Sequence, residues 1–217
     1  MNAVMQSVRV PAAGAMLDAD VTVPDEPQGA VLFAHGSGSS RHSPRNRYVA
    51  GELQTAGFAT VLADLLTERE ERLDLMTGEF RFDIGILSAR VVELADWLRE
   101  YEPVMDLCIG LFGASTGAAA ALVAASARPD AVRAVVSRGG RPDLAEKSLE
   151  TVRQPTLLIV GSLDKEVIEL NREAMRRIPG ETLLELVPGA THLFEEPGAL
   201  ERVARLAREW FQRHLPP

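Results

Sequence analysis

The stretch Leu107-Cys-Ile-Gly-Leu-Phe-Gly-Ala-Ser-Thr-Gly-Ala118 decides how this chain is read. Its first half is an apolar run without polar alternation, as expected of a strand covered on both faces, and its second half opens an alanine-rich helix. At the junction stands Gly113-Ala-Ser115-Thr-Gly117. A serine on such a sharp turn needs a strained backbone, and glycines two residues to either side let neighbouring segments pass without a Cβ clash. The pentad alone is a weak pattern, because glycine, alanine and serine are common in turns. Its position between a strand and a helix gives it meaning.

A serine hydroxyl is a poor nucleophile until a base takes its proton, so the rest of the chain must supply a histidine and a carboxylate. The histidines are His35, His42, His192 and His214. His214 is near the end of the terminal helix and reads as solvated. His192 lies in Val187-Pro-Gly-Ala-Thr-His192, a loop after the last apolar strand. Asp164 occupies the corresponding loop one strand earlier, in Gly161-Ser-Leu-Asp164. Loops at the carboxyl ends of parallel strands are where doubly wound sheets place their sites. The order Ser115, Asp164, His192 is nucleophile, acid, base, each separation spanning whole strand and helix units. The structural alternative is that Asp164 caps the helix beginning near Lys165 and His192 is an ordinary loop histidine.

Outward from this core, beta-type segments are predicted at 7–10, 16–23, 30–34, 59–63, 105–112, 134–137, 156–160 and 182–187. Helix-period segments are predicted at 45–56, 84–100, 117–127, 143–152, 165–178 and 200–214. In the second of these, Ile84, Leu87, Val91, Leu94, Ala95 and Leu98 form one apolar face, with Arg90, Glu93 and Arg99 opposite. Strands followed by strict strand and helix alternation imply an α/β class, with a doubly wound, mostly parallel sheet of about eight strands preceded by an antiparallel hairpin. One domain over 1–217 is the expected organisation for this length. The charged run 67–71, TEREE, reads as a solvated loop or helix face.

With 31 acidic against 23 basic residues and a net charge of −8, the chain lacks the clustered positive charge that a nucleic-acid surface requires. The single cysteine, Cys108, has no partner for an internal disulfide and reads as a small buried hydrophobe. No leader-like or membrane-spanning run is visible, so a cytoplasmic protein without membrane association is expected. Monomer and dimer both remain open.

The loop Ala34-His35-Gly36-Ser37-Gly38-Ser39-Ser40 ends the third strand. Acyl transfer builds negative charge on a carbonyl oxygen, which backbone N–H groups at Ser37 and at Thr116, the residue after the nucleophile, are expected to hold. The loop lacks the lysine and spacing of a phosphate-binding P-loop. The turn Gly110-Leu-Phe-Gly113-Ala-Ser-Thr-Gly117 loosely matches a dinucleotide-binding loop, but it lies mid-chain and the next strand ends at Ser137-Arg138 rather than at an acidic residue.

Taken together, the loop HGSGSSRHSPRN, the pentad with its following alanine, the GSLD turn and the segment GATHLFEEPG resemble the dienelactone hydrolase-like branch of the α/β-hydrolase superfamily. The resemblance runs from Val31 to His214. It implies an α/β-hydrolase fold, Ser115 as nucleophile, Asp164 as acid, His192 as base and oxyanion positions at Ser37 and Thr116. It implies a serine hydrolase acting on a small ester, lactone or thioester, with no cofactor and no metal. Dienelactone hydrolases proper use a cysteine where this chain has Ser115, so their lactone substrate is not carried over. Rival classes are a non-catalytic binding or scaffold protein on the same fold, and a nucleotide-dependent oxidoreductase.

Between Ser137 and the next strand only Arg138-Gly-Gly-Arg141-Pro and one helix are expected, in place of a lid domain, which predicts an open, shallow site. Arg41, His42, Arg45 and Arg47 begin on the oxyanion loop, and Arg138 and Arg141 follow another strand. Arg41, His42 and Arg138 are the candidates to orient an anionic substrate group, the alternative being surface ion pairs with Glu68 to Glu71.

Overall fold

The computed structural model describes residues 3–215. A two-residue turn at Ala13 and Gly14, both with positive φ, joins β1 (Ala3–Ala12) to β2 (Ala15–Pro24) as an antiparallel hairpin. The following strands are β3 (Gly29–Ala34), β4 (Phe58–Ala63), β5 (Ile109–Ala114), β6 (Val132–Arg138), β7 (Thr156–Gly161) and β8 (Thr182–Val187). They form one sheet in the order β1-β2-β4-β3-β5-β6-β7-β8. From β4 across to β8 every pairing is parallel, while β2 runs antiparallel to both β1 and β4. This is the α/β-hydrolase fold.

All six residues of β3, β4, β5 and β7 are buried, which explains why these strands read as continuous apolar runs. Alternate side chains enter opposite layers. Val31, Phe33 and Phe112 face a layer with Val49 and Leu53 of α1 (Pro44–Thr55) and Trp210 and Phe211 of α6 (Ala199–His214). Leu32, Ala34 and Leu111 face the layer holding α3 (Ile84–Leu98) and α4 (Thr116–Ala127). The alanines of α4 are its packing surface: small side chains let it lie close against sheet and neighbours. On the outer edge, α5 (Lys165–Arg177) buries Val167 and Ile168 against Val160.

Register fixes what meets at the carboxyl edge. Ala34 pairs with Gly113, Ala114 with Arg138 and Gly161 with Val187, so the loops after β3, β5 and β6 emerge side by side, as do those after β7 and β8.

Several local expectations are corrected. Residues 103–107 turn, with Val104 N–H bonded to Tyr101 O, so β5 begins at Ile109 rather than at 105. Cys108, just before it, is half-buried rather than buried. The helix expected over 143–152 is a 3-10 segment, Pro142–Thr151, broken at Glu146, whose φ of 48° is non-helical. A further helix, α2 (Glu68–Thr77), absent from the predicted helices, begins in the charged run at 67–71, with a capping box between Thr67 and Glu70; as the solvated helix-face reading has it, Glu68 and Arg69 are exposed. Arg90 leaves the solvated face assigned to it: its side chain is 3% exposed and forks onto Glu70 at 2.7 and 2.8 Å while also donating to Leu65 O at 2.6 Å. His214 is half-buried, its ring 4.3 Å from that of Trp210. The connection from β6 to β7 is the short 3-10 segment, with no inserted lid domain.

Candidate active site

Ser115 stands between β5 and α4 with φ 51° and ψ −120°, a conformation that costs a serine about 1–3 kcal/mol. The surroundings enforce it. Its N–H donates to Arg138 O at 3.2 Å, and its carbonyl accepts from Ala118 N–H and Arg141 N–H, both at 3.1 Å. A Cβ at Gly113 would collide with Ala118 Cα, and one at Gly117 with the carbonyl oxygens of Ala34 and His35. The strand, helix and β3 loop therefore cross at a separation only glycine permits. Ser115 itself is half-buried, so its hydroxyl is accessible at the sheet edge.

His192 and Asp164 meet across two loops that are laced together. Ser162 N–H donates to Val187 O at 2.9 Å, Leu163 N–H to Ala190 O at 3.0 Å, and Gly189 N–H to Ser162 Oγ at 2.8 Å. Beyond the histidine, Glu196 accepts from the N–H and hydroxyl of Thr191, and Phe194 is buried with a positive φ. The outcome is a 2.6 Å contact between His192 Nδ1 and Asp164 Oδ2, with the carboxylate side chain 15% exposed and the imidazole 39%. Asp164 does occupy the cap position of α5, but its side chain makes no capping bond. Its carboxylate is committed to the histidine instead. An Nδ1–H held by a carboxylate leaves Nε2 as the basic nitrogen of the ring.

Ser115 and His192 line one cleft of about 190 Å³, together with Ser37, Arg45, Arg138 and Leu193. The β3 loop presses on Ser115: a Cβ at Gly36 would lie 3.0 Å from both Ser115 Cβ and Ala114 O. Ser37 Oγ donates to Arg81 O at 3.1 Å and lies 3.2 Å from Thr116 Oγ1. Ser37, on the loop after β3, and Thr116, the first residue of α4, are thus adjacent beside Ser115.

The arginine-rich cluster divides. Arg41 is bonded to Asp64 through side chain and backbone and also pairs with Asp20, while Arg47 pairs with Asp20 and donates to His42 Nδ1 at 2.7 Å. Neither Arg41 nor His42 lines the cleft. The carboxylate partners of Arg41 and Arg47 are Asp20 and Asp64, not Glu68 to Glu71. Arg141 is held by Asp143. Arg138 does line the cleft, yet as a buried wall, 7% exposed, rather than an open rim.

Two contributors escaped sequence reading. His35 is buried; its Nε2 accepts Leu65 N–H at 2.8 Å and its Nδ1 lies 3.0 Å from Gly36 O, so the neutral ring bridges the ends of β3 and β4 and fixes the loop before Ser37. Burial pushes its pKa below the usual 6.5. Asn46 on α1 is 2% exposed and receives Arg138 Nη2 at 3.2 Å. A histidine at the end of an all-apolar strand was the signal for the first; the second carried none.

Residues 17–215 match the dienelactone hydrolase family. A crystal structure of a dienelactone hydrolase from Anabaena variabilis is 54% identical, covers 98% of this chain and 99% of its own, and superposes with a TM-score of 0.96. Est1E from Butyrivibrio proteoclasticus, at 16% identity, shares the fold with a TM-score of 0.78 over 95% of this chain and 98% of its own. Proteins from two strains of Mycobacterium tuberculosis, provisionally named phosphoribosyl transferases, are 56% identical over 97% of this chain and 46% of their own length. The chain therefore spans about half the length of these curated relatives.

Proposed function

The chain belongs to the dienelactone hydrolase family, a family of hydrolases, and from that premise we propose that it cleaves a small carboxylic ester, lactone or thioester with a Ser115-His192-Asp164 triad. The observation that carries this reading is the 2.6 Å bond between Asp164 and His192, whose ring shares a cleft with the strained Ser115.

In this mechanism Ser115 Oγ attacks the substrate carbonyl carbon as His192 Nε2 takes the hydroxyl proton, and the carbonyl π pair moves to oxygen. The oxyanion is held by the N–H groups of Ser37 and Thr116, aided by the N-terminus of α4. Asp164 holds the imidazole and supports its positive charge. Collapse expels the alcohol or thiol, which receives the proton from Nε2, and leaves an acyl-serine. Water then attacks by the same route and restores the enzyme.

The size of the cleft supports a small substrate, since sites for drug-sized ligands measure roughly 300–1,000 Å³. The space behind the Ser37 loop, lined by Leu66, Leu87 and Arg81 among others, is about 20 Å³, room for a water but not an acyl chain. The transferase name of the mycobacterial relatives belongs to proteins about twice as long; we assign that activity to the part this chain does not match.

The test uses p-nitrophenyl acetate and butyrate with the wild type, Ser115→Ala and His192→Ala. Each variant should lose about 10⁴-fold or more in turnover with an unchanged circular dichroism spectrum. A fluorophosphonate should label the wild type at Ser115. Undiminished turnover in both variants overturns the assignment, and an unreactive Ser115 favours a binding protein on a hydrolase fold.

A further inference from the structure

Asn171 sits where the pattern of its own helix calls for an apolar side chain. The buried stripe of α5 is Val167, Ile168, Asn171 and Ala174, and Asn171 is 0% exposed. An amide withdrawn from water costs free energy unless it is hydrogen-bonded, so its bonds show what it does there. Nδ2 donates to Gly140 O at 3.0 Å and to Val167 O at 2.8 Å, while Oδ1 has no partner among the described residues. The bond to Val167 stays within the helix. The bond to Gly140 leaves it, and Gly140 is buried too, so the amide supplies the hydrogen bond that this carbonyl needs.

Gly140 lies between the two residues that grip the nucleophile. Ser115 N–H donates to Arg138 O at 3.2 Å, and Ser115 O accepts from Arg141 N–H at 3.1 Å. On the other flank Gly139 approaches the base: a Cβ there would lie 3.2 Å from His192 O and 3.5 Å from His192 Cε1. A Cβ at Gly140 would fall 1.9 Å from Ser137 Oγ and 2.7 Å from Ala118 Cβ, so the loop is wedged against β6 and α4. This loop follows β6, the strand between β5, which leads to Ser115, and β7, which leads to Asp164. Asn171 ties it to α5, the helix that Asp164 precedes.

We propose that Asn171 is a positioning residue of the triad: through Gly140 it fixes the loop that grips Ser115 and borders His192, and so sets the nucleophile against the acid and the base. The inference rests on the hydrolase reading above and extends it to a side chain buried behind the cleft.

Asn171→Leu keeps the approximate shape and removes the donor. With p-nitrophenyl butyrate, kcat should fall about 10- to 100-fold, the loss that a misplacement of about 1 Å brings, while KM stays within about twofold because no substrate contact is removed. Gln154→Leu is the matched control. Gln154 is 5% exposed and its Nε2 donates to Ala125 O at 2.7 Å, about 15 Å along α4 from Ser115. That variant should lower the thermal midpoint as Asn171→Leu does and leave kcat unchanged. Asn171→Asp restores a donor while its carboxyl is protonated, the form that burial favours, so its kcat relative to the wild type should be higher at about pH 6 than at about pH 8.5. It also replaces Asn171→Leu should that variant fail to fold. A wild-type kcat in folded Asn171→Leu, or an equal fall in Gln154→Leu, overturns the proposal.

Amide hydrogen exchange reads the same link without catalysis. In Asn171→Leu the amides of Ser115, Gly139 and Arg141, whose bonds run through the loop, should lose about tenfold or more in protection, while those of β3 and β4 keep theirs. If the wild type cleaves no ester, the hydrolase reading fails, and this measurement decides the link by itself. Unchanged protection at the three amides, or a loss shared by the whole sheet, overturns it.

Discussion

The buried histidine at the end of β3 shows how much of the site depends on one proton. His35 accepts Leu65 N–H through Nε2, and a protonated ring has no lone pair there to accept it. Its pKa in the folded protein lies below 6.5, lowered chiefly by burial. The unfolded chain therefore binds this proton more readily than the folded one, so His35 contributes stability above the unfolded pKa that is lost as pH falls toward the folded value. Thermal midpoints should drop between about pH 7 and about pH 5, where most carboxylates remain ionised. Glu70, which its bonds to Arg90 and Thr67 hold at about 2 against the opposing effect of burial, stabilises the fold above its ordinary 4.5 and should lose that contribution only as pH falls below it. In His35→Gln, whose amide oxygen retains an acceptor, the slope between these pH values should flatten. A slope equal to that of the wild type would mean that other groups, such as the half-buried His214, carry it.

At the scale of elements, α2 has little apolar surface to hold it. It buries one residue of its own, Asp74, and exposes Leu75 and Met76. Its attachment is polar. Arg90 of α3 clasps Glu70 at one end, and Asp74 accepts from the backbone N–H groups of Phe80 and Arg81 and from Arg81 Nε at the other, all at 2.8 Å. Arg81 in turn presents the carbonyl to which Ser37 Oγ donates. Glu70→Gln would leave a buried guanidinium uncompensated and should destabilise the protein by about 3–5 kcal/mol in urea unfolding. A loss below about 1 kcal/mol would show that water reaches Arg90 once the carboxylate is gone. The same contacts explain why sequence reading treated the run 67–71 as solvent-facing: the pattern shows no apolar stripe, and a helix docked by charges has none to show.

For the whole molecule, every strand of the described chain joins one sheet, and its two layers share the same strands on opposite faces. Neither layer keeps its partner if the other unravels. Calorimetry of the isolated chain should accordingly give one cooperative transition, with calorimetric and van't Hoff enthalpies equal. Two separated transitions would show that the hairpin β1–β2 or the β7–β8 edge is an independent unit. No helix among the described residues is long and apolar enough to cross a membrane. The mycobacterial relatives are about twice as long as the matched part, so a unit that folds alone is also what would allow this half to be joined to another.

The order of the strands, most of the helices, the mostly parallel sheet and the sequence of Ser115, Asp164 and His192 along the chain were legible from residues alone, whereas α2 and the broken 3-10 segment after β6 were not. Hydrophobic period is a local property, and the handedness of parallel crossovers leaves few ways to arrange such a list, so the loops carrying those three residues had to reach one edge. The commitment of Asp164 to His192 rather than to the helix it precedes was decided by tertiary structure, as was the sorting of the arginines. Arg41 meets carboxylates from β2 and from the end of β4, Arg90 meets one on a helix that showed no apolar stripe, and Arg138 meets none. Whether a charge is compensated depends on what stands within a few ångströms of it, and that distance is set by packing among segments remote in the chain.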